Sequence, residues 1–356
     1  MSEVPPPRRA AVVGTGLIGG SVGMALRAAG WHVTGTDADA AVAARALELG
    51  AIDEIGDDPG AELTVVAVPV GAVPAAARAA LAHGGVVTDV GSVKTPVVAA
   101  VDHPRFVGGH PMAGSEALGV DGAQAELFQG ATWVLTPTST TDPGAQALVH
   151  TVVRSLGADV VTLAPTDHDR LVATVSHVPH LAAATLMGLA ATQAEEHNAL
   201  LQLAAGGFRD MTRIAAGDPG IWMDICVDNR VAILGVLDGL VAALADVRNA
   251  VDRGDTAELR SRLADAQVAR RNLPVGAPPP EELAEVRVAI PDEPGQLAGV
   301  TTLATERSVN VYNIDVAHAA GDQRGLLTLV VAAERAADLA EALQARGWHA
   351  SVHGLG

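Results

Sequence analysis

Residues 8–37 constrain the fold more tightly than any other stretch. Arg8-Arg9-Ala10-Ala11-Val12-Val13 reads as a short apolar strand and Gly14-Thr15-Gly16-Leu17-Ile18-Gly19-Gly20-Ser21 as a turn; residues 22–30 follow as an Ala/Leu helix and 31–37 as a second strand. In such a strand–turn–helix each glycine has its own task. Gly14 makes the tight turn, Gly16 lets a pyrophosphate approach the backbone, and Gly19 lets helix and strand pack closely. The helix start offers unpaired N–H groups and the positive end of its dipole to phosphates. Asp37 ends the second strand, where a carboxylate binds the adenosine ribose hydroxyls, and no Arg follows it directly, which favours NAD over NADP. The other account of Asp37 is a solvated acid at a strand end.

The alternation continues, with strands at 62–69, 86–90, 105–108, 131–136 and 159–163 and helices at 73–83, 96–101 and 144–156. Strand and helix alternating in this way predict an α/β, Rossmann-type doubly wound parallel sheet. From 166 the strand signals stop, and periodic Leu, Ala, Val and Ile read as helix to 273. Residues 231–244 (VAILGVLDGLVAAL) are apolar on most faces, which predicts burial against a second copy in a homodimer. Leu273-Pro274-Val275-Gly276-Ala277-Pro278-Pro279-Pro280 reads as a stiff linker. After it, a strand at 285–290, a helix at 295–307, strands at 309–318 and 326–331, a helix at 336–346 and a strand at 348–353 give the order βαββαβ of a small ferredoxin-like domain. The expected organisation is a nucleotide-binding domain over 1–164, an all-helical substrate and dimerisation domain over 165–275, a linker over 276–284 and the βαββαβ domain over 285–356.

A chain of 356 residues is long enough for two or three such domains. Its net charge of −18 argues against nucleic-acid binding, which needs a basic face. The same charge repels an anionic substrate, so its capture would need a local cationic cluster. Cys226 is the single cysteine, so no disulfide framework exists and a reducing compartment is compatible. The N-terminal MSEVPPPRR has no apolar signal region, and the apolar runs at 181–192 and 231–237 fall short of a bilayer span. These features predict a cytoplasmic protein with no membrane and no nucleic-acid partner.

Two strand-like runs, 85–90 and 105–108, each end on a polar cluster, where open α/β sheets place their ligands. The clusters hold Ser92, Lys94, His110 and Glu116, and Lys94 is the only lysine in the chain. Taken alone, they also fit two ordinary polar loops. In the helical region, Thr174-Val175-Ser176-His177-Val178-Pro179-His180 sets two histidines around a proline, Asp210 and Arg213 share a helical face at i, i+3, and Trp222 follows. Each has a plainer account: His177 as a core histidine, Asp210 and Arg213 as a surface pair. A metal site from His168, His177, His180 and Asp167 or Asp169 is set aside, because the spacing around Pro179 gives no regular ligand pair.

Taken together, G-T-G-L-I-G-G-S (14–21), D-V-G-S-V-K (89–94), G-G-H-P-M-A-G-S-E (108–116), S-H-V-P-H (176–180) and G-G-F-R-D-M-T-R-I-A (206–215) resemble the prephenate/arogenate dehydrogenase family of tyrosine biosynthesis. The motifs follow the family's order from residue 8 to residue 275. The tail resembles an ACT domain, a small-molecule sensor that only some members carry, through D-E-P-G-Q-L (292–297) and N-V-Y-N-I (310–314).

The resemblance implies NAD-dependent oxidative decarboxylation of prephenate to 4-hydroxyphenylpyruvate. Hydride leaves the ring carbinol carbon for NAD+, the hydroxyl proton goes to a base, and the ring carboxylate departs as CO2, with aromatisation driving the reaction. Such chemistry asks for a neutral imidazole, a hydroxyl to hold it and fixed cations for the carboxylates. By resemblance, His110 is the histidine that accepts the hydroxyl proton, and Ser92 orients it beside the nicotinamide. Arg213 binds a substrate carboxylate, which suits a bidentate guanidinium. Asp210 and Glu116 form an ionic network with it. His180 reaches the substrate side chain, Trp222 lines the same cavity, and Lys94 supports the site near the anionic substrate. His168 and His177 are expected in structural or supporting roles. Cofactor contacts fall on Gly14, Gly16, Leu17, Ile18, Gly19, Asp37, Val68, Pro69 and Ser92. In the tail, Asp292, Pro294, Gly295, Asn310 and Asn313 would hold tyrosine or another aromatic end product, and a purely structural domain is the alternative there.

Two other readings compete. A β-hydroxyacid dehydrogenase shares the layout, but H-P-M-A-G-S-E and S-H-V-P-H argue against it. A non-catalytic amino-acid sensor is opposed by the intact Ser92, His110 and Arg213. Within the family, prephenate and arogenate differ by a keto or amino group, and His180 leans towards prephenate.

Overall fold

A computed structural model describes residues 7–114, 117, 119–196, 200, 203–217, 219–271, 282–291, 293, 295–318 and 324–354. The chain divides into two units, 1–265 and 266–356. The first begins with β1 (Arg9–Val13), α1 (Leu17–Ala28), β2 (His32–Thr36), α2 (Ala40–Glu48), β3 (Glu54–Ile55), β4 (Leu63–Val66) and α3 (Val73–Leu81). It continues with β5 (Val86–Asp89), α4 (Thr95–Val101), β6 (Phe106–Pro111), β7 (Thr132–Thr136), α5 (Pro143–Ser155) and β8 (Asp159–Thr162). The strands form one sheet in the order β3-β2-β1-β4-β5-β6-β7-β8. Val12, Leu63, Val65, Val66, Val87 and Val107 are buried, as expected of strands covered on both faces. Strand order reverses between β1 and β4, so their carboxyl ends bound the crevice where open α/β sheets bind ligands.

The wholly parallel expectation fails at one place. β1 to β6 are parallel, but β6 and β7 pair antiparallel, with Gly108 opposite Thr136 and His110 opposite Val134. A parallel pair needs a long crossover, usually a helix. Among the described residues, the connection from 112 to 131 holds only 3-10 turns at Val120–Gly122 and Ala125–Phe128.

Other boundaries also moved. α1 begins at Leu17 rather than at 22, because Gly19 and Gly20 belong to the helix despite their poor propensity. A Cβ on Gly19 would lie 1.8 Å from the Gly14 carbonyl oxygen, so the glycine serves close packing rather than ending the helix. The sequence reading passed over α2, which Asp39 caps by accepting from the Ala41 N–H at 2.8 Å. β6 runs on to Pro111, which puts His110 on the strand itself instead of in the loop after it.

The helical part comprises α6 (Pro165–Val172), a π-helical turn Ala173–His177, α7 (Val178–Glu196), α8 (Gly206–Thr212), a 3-10 turn Arg213–Ala216, α9 (Pro219–Asp228), α10 (Arg230–Asp252) and α11 (Thr256–Arg271). Ala173, Val178, Ile225 and Ile233 form its core, with Leu181, Trp222, Val236 and Leu240 packed against them. Helix runs unbroken over Pro165–Ala194, long and apolar enough by length and composition to cross a membrane, so the expectation that no stretch qualifies is corrected. Its first turns carry buried His168, Asp169, His177 and His180, and the first three bond to groups on β6, α4 and Asn229. That wiring commits this end of the helix to the interior of the unit.

The second unit has β9 (Leu283–Pro291), α12 (Gln296–Glu306), β10 (Val311–His318), β11 (Arg324–Ala332), α13 (Ala333–Ala345) and β12 (His349–Gly354). Its antiparallel sheet has the order β10-β11-β9-β12, the ferredoxin-like arrangement that the βαββαβ order predicts. Val286, Val288, Leu327 and Leu329 point from the sheet into a core closed by Val300, Leu303, Leu339 and Leu343 of the two helices. Most of the expected linker lies outside the described residues, and β9 starts at Leu283, before the expected boundary at 285.

Candidate active site

The glycine turn meets the requirements of a dinucleotide. Gly14 has φ +91°, open to glycine, and a Cβ there would lie 2.4 Å from the Ala67 carbonyl oxygen just past β4. Gly16 caps α1 without a side chain, and nothing lies within 4 Å of where its Cβ would be. Leu17 and Ile18 form the partly buried first turn, so the free N–H groups of the helix face open space. Asp37 stands at the end of β2, its Oδ2 accepting from the Thr15 N–H at 2.8 Å and its Oδ1 from the Asp39 N–H at 3.0 Å. The carboxylate is thus held where ribose hydroxyls would meet it. Val68 and Pro69 follow β4 on the facing side of the crevice. These residues fit NAD, which would supply a hydride acceptor at the carboxyl ends of the strands.

A second construction lies between β5, β6 and α6. His110, partly buried on β6, has Nδ1 2.8 Å from Nε2 of His168, with the rings edge to face at 74°. His168 is fully buried, and its Nδ1 lies 2.8 Å from Oδ1 of Asp169. The Asp169 carboxylate also accepts from the backbone N–H groups of Lys94 and Thr95, each at 2.8 Å, so it caps α4. Burial pushes Asp169 up, but hydrogen bonds from His168, Thr95 and Lys94 outweigh that and hold it below the usual carboxylate value. Asn229 Nδ2 donates to the Asp169 carbonyl at 2.9 Å and lies 3.1 Å from His177 Nδ1. Burial, with His168, Lys94 and His177 nearby, keeps His110 well below an ordinary histidine. Burial likewise brings His177 down to about 4, with Asp169 opposing and His168 adding, and lowers His180. Neutral imidazoles at neutral pH are the result, and neutral imidazoles can accept protons.

Lys94, expected to support the site near an anionic substrate, points into the sheet. Its side chain is fully buried, with Nζ on the Asp89 carboxylate and donating to the Gly109 carbonyl at 2.8 Å. Asp89 also accepts from the N–H groups of Gly91 and Gly109, at 2.9 and 3.1 Å. A Cβ on Gly109 would lie 2.6 Å from the Asp89 carbonyl oxygen, so only glycine lets the strand approach this pair. The ammonium is paired within the sheet and stitches β5 to β6. Ser92, expected to orient His110, lies partly buried in the loop between β5 and α4. Among the described residues no hydrogen bond joins it to His110, whose ring is held by His168.

The remaining expected residues sit on the helical part. His180, 8% exposed on α7, stacks on Trp222 of α9 with ring centroids 3.6 Å apart and 11° between planes. His177 meets the edge of the same indole, with centroids 6.0 Å apart. Helix α9 packs against the turn Val70–Ala72 after Pro69, which brings the stack towards the crevice. Asp210 on α8 and Arg213 in the turn after it are both exposed. Glu116 lies outside the described residues. Among the described residues no group of three His, Cys, Asp or Glu is placed to hold a metal ion; both ring nitrogens of His168 are already engaged.

Sequence reasoning expected a supporting role for His168 without its partners, gave Asp169 no role beyond a discarded metal site and missed Asn229. The signal available was local, a D-H-D run opening α6 and an Asn between two helices, and the meaning lay in partners 58 to 75 residues away.

Comparison with known proteins points to one family. A family model described as the nucleotide-binding domain of prephenate dehydrogenase matches residues 22–162, and one described as its dimerization domain matches 164–265. A prephenate dehydrogenase of Bacillus subtilis is 33% identical over 338 residues, covering 89% of this chain and 90% of its own. Among solved structures, prephenate dehydrogenase from A. aeolicus, in complex with hydroxyphenyl propionate and NAD+, is 30% identical with a TM-score of 0.71 and covers 76% of this chain and 100% of its own. Synechocystis arogenate dehydrogenase is 32% identical with a TM-score of 0.66, covering 74% and 99%.

Proposed function

The chain belongs to the prephenate dehydrogenase family, and from that premise we propose that it oxidatively decarboxylates prephenate to 4-hydroxyphenylpyruvate with NAD. The observation that carries the reading is His110: a neutral imidazole on β6, at the same end of the sheet as the glycine turn. Its lone pair takes the proton of the substrate hydroxyl and returns it to the ring oxygen of the product, so the cycle needs no other acid. When bound, NAD accepts the hydride from the carbinol carbon. Ser92 lines the nicotinamide side of the site. Arg213 binds the substrate side-chain carboxylate, with Asp210 and Glu116 in an ionic network around it. His180, stacked on Trp222, closes the wall against that side chain. Arogenate remains the second reading, favoured by the Synechocystis relative that bears its name. Following NADH formation with each substrate separates the two, and a higher kcat/KM with arogenate would reverse the assignment.

Arg213→Ala is expected to raise the substrate KM about 10- to 100-fold, the range for losing a charge-assisted hydrogen bond, with kcat little changed. A fall in kcat alone would remove carboxylate anchoring from its role.

Homodimerisation through α10 belongs to the same reading. Val231, Val241, Leu244 and Val251 lie exposed along the helix, within the region that the dimerization model matches. A cytoplasmic setting rests on the single Cys226 and on relatives that are biosynthetic enzymes. The second unit is proposed as an ACT-type regulatory domain that binds tyrosine. Its ferredoxin-like topology supports this, as do Gly295 at φ +94° before α12 and Asn310 and Asn313 at the start of β10. Asp292 and Pro294 of the same motif lie outside the described residues. Adding tyrosine to the prephenate assay is expected to lower the rate; no effect on rate and no heat in calorimetry would leave the domain structural.

A further inference from the structure

His110 makes its one ring hydrogen bond, among the described residues, to another histidine, and the direction of that bond decides what His110 can do. The chain of groups starts at Asp169. A carboxylate only accepts, and this one already takes the backbone N–H groups of Lys94 and Thr95. The proton on the 2.8 Å contact between Asp169 Oδ1 and His168 Nδ1 therefore sits on His168. A neutral imidazole protonated on Nδ1 has only a lone pair on Nε2. In that state of His168, Nε2 accepts across its 2.8 Å contact and His110 Nδ1 donates. One nitrogen of His110 remains, Nε2, and it carries the lone pair.

We propose that Asp169 and His168 form a tautomer lock, a pair of positioning residues that holds the lone pair of His110 on Nε2. Asp169 is set by the two N–H groups that start α4, and its backbone carbonyl is pinned by Asn229. His168 has no exposure through which water can offer an alternative partner. The lock therefore spans α6, α4 and β6 and does not depend on substrate. A His110 in the opposite tautomer would present an N–H to the substrate hydroxyl and accept nothing from it. When Nε2 takes the hydroxyl proton, Nδ1–H stays bonded to His168, and no second proton has to move. This inference rests on His110 being the base, but the lock itself is a property of the free protein and is measured without turnover.

The test uses the full chain labelled with 15N-histidine, with His110 and His168 resonances assigned from His110→Gln and His168→Gln. At pH 8 the long-range proton–nitrogen spectrum is expected to show both rings protonated on Nδ1 alone. His110 protonated on Nε2, or His168 doubly protonated and donating to His110, would overturn the lock. Two variants link it to turnover. His168→Phe removes the acceptor, and kcat is expected to fall about 10²-fold or more with the KM for NAD+ unchanged, near the scale of a general base's contribution. His168→Gln keeps an oxygen where Nε2 was and is expected to restore most of kcat and the Nδ1–H signal of His110. If the Phe variant does not fold, the wild-type spectrum and the Gln variant still decide. Equal kcat in wild type and a folded Phe variant would sink the lock. Retained kcat in His110→Ala would instead sink the base, leaving the tautomer measurement standing.

Discussion

His110→Ala is expected to lower kcat about 10²- to 10⁴-fold, the usual contribution of a positioned general base, while the KM for NAD+ stays within about threefold. The large effect comes from the position of His110 and its state. It is on a strand, not a loop, so the backbone of β6 and its pairing to β7 aim the ring. Burial and the neighbouring His168, Lys94 and His177 hold it neutral well below the ordinary histidine value. Protonation removes the lone pair, so activity is lost as pH falls through that depressed value and stays flat above it. Wild-type kcat is therefore expected to show no acid limb near 6.5, and a limb centred there would mean that the titrating base is another group. The same substitution leaves His168 Nε2 buried without its donor, which costs about 1–3 kcal/mol. Reading kcat beside the thermal transition separates the chemical loss from this structural one. A variant that melts lower but turns over normally would falsify the assignment.

Features with a local physical cause were legible in the sequence. The glycine turn could be read because each glycine answers a steric demand within a few residues of itself. The ferredoxin-like tail could be read because its strands alternate apolar and polar at period two. Failures came where the cause lies elsewhere in the chain. The start of α1 was misplaced because Gly19 and Gly20 look like helix breakers until their packing against the turn is seen. The reversal at β7 was missed because what decides it is the lack of a crossover helix, which strand patterns do not register. His168 was given only a general supporting role and Asp169 none, because a D-H-D run has no specific meaning until it meets β6 and the start of α4. Arg213, His180 and Trp222 were singled out in the sequence and given roles by resemblance, and here the structure adds the stack that ties two of them together.

Lys94 yields the second large effect: Lys94→Met is expected to destabilise the first unit by about 3–5 kcal/mol. A lone lysine in an acidic chain invites the thought of an anionic substrate. Its ammonium instead lies in the sheet with Asp89, and both side chains are fully buried. Removing one partner of such a pair leaves an uncompensated charge, here the Asp89 carboxylate, whose remaining donors are the N–H groups of Gly91 and Gly109. The Gly109 carbonyl loses its donor as well, one residue before His110. Neutralising both ends, as in Lys94→Met with Asp89→Asn, removes the unpaired charge but keeps an acceptor for only one of the two glycine N–H groups, which bond to separate oxygens of Asp89. The double variant is therefore expected to recover part of the loss, a non-additivity that a denaturation cycle reads directly. Loss of the ammonium also lifts one of the influences that depress His110, so the acid limb of kcat is expected to move up in pH. A substrate-binding lysine predicts the opposite pattern: a raised KM for the dianion, an unchanged melt and no coupling to Asp89. Measuring KM and stability on the same preparations decides between a cation that meets the substrate and one that holds two strand ends together beneath it.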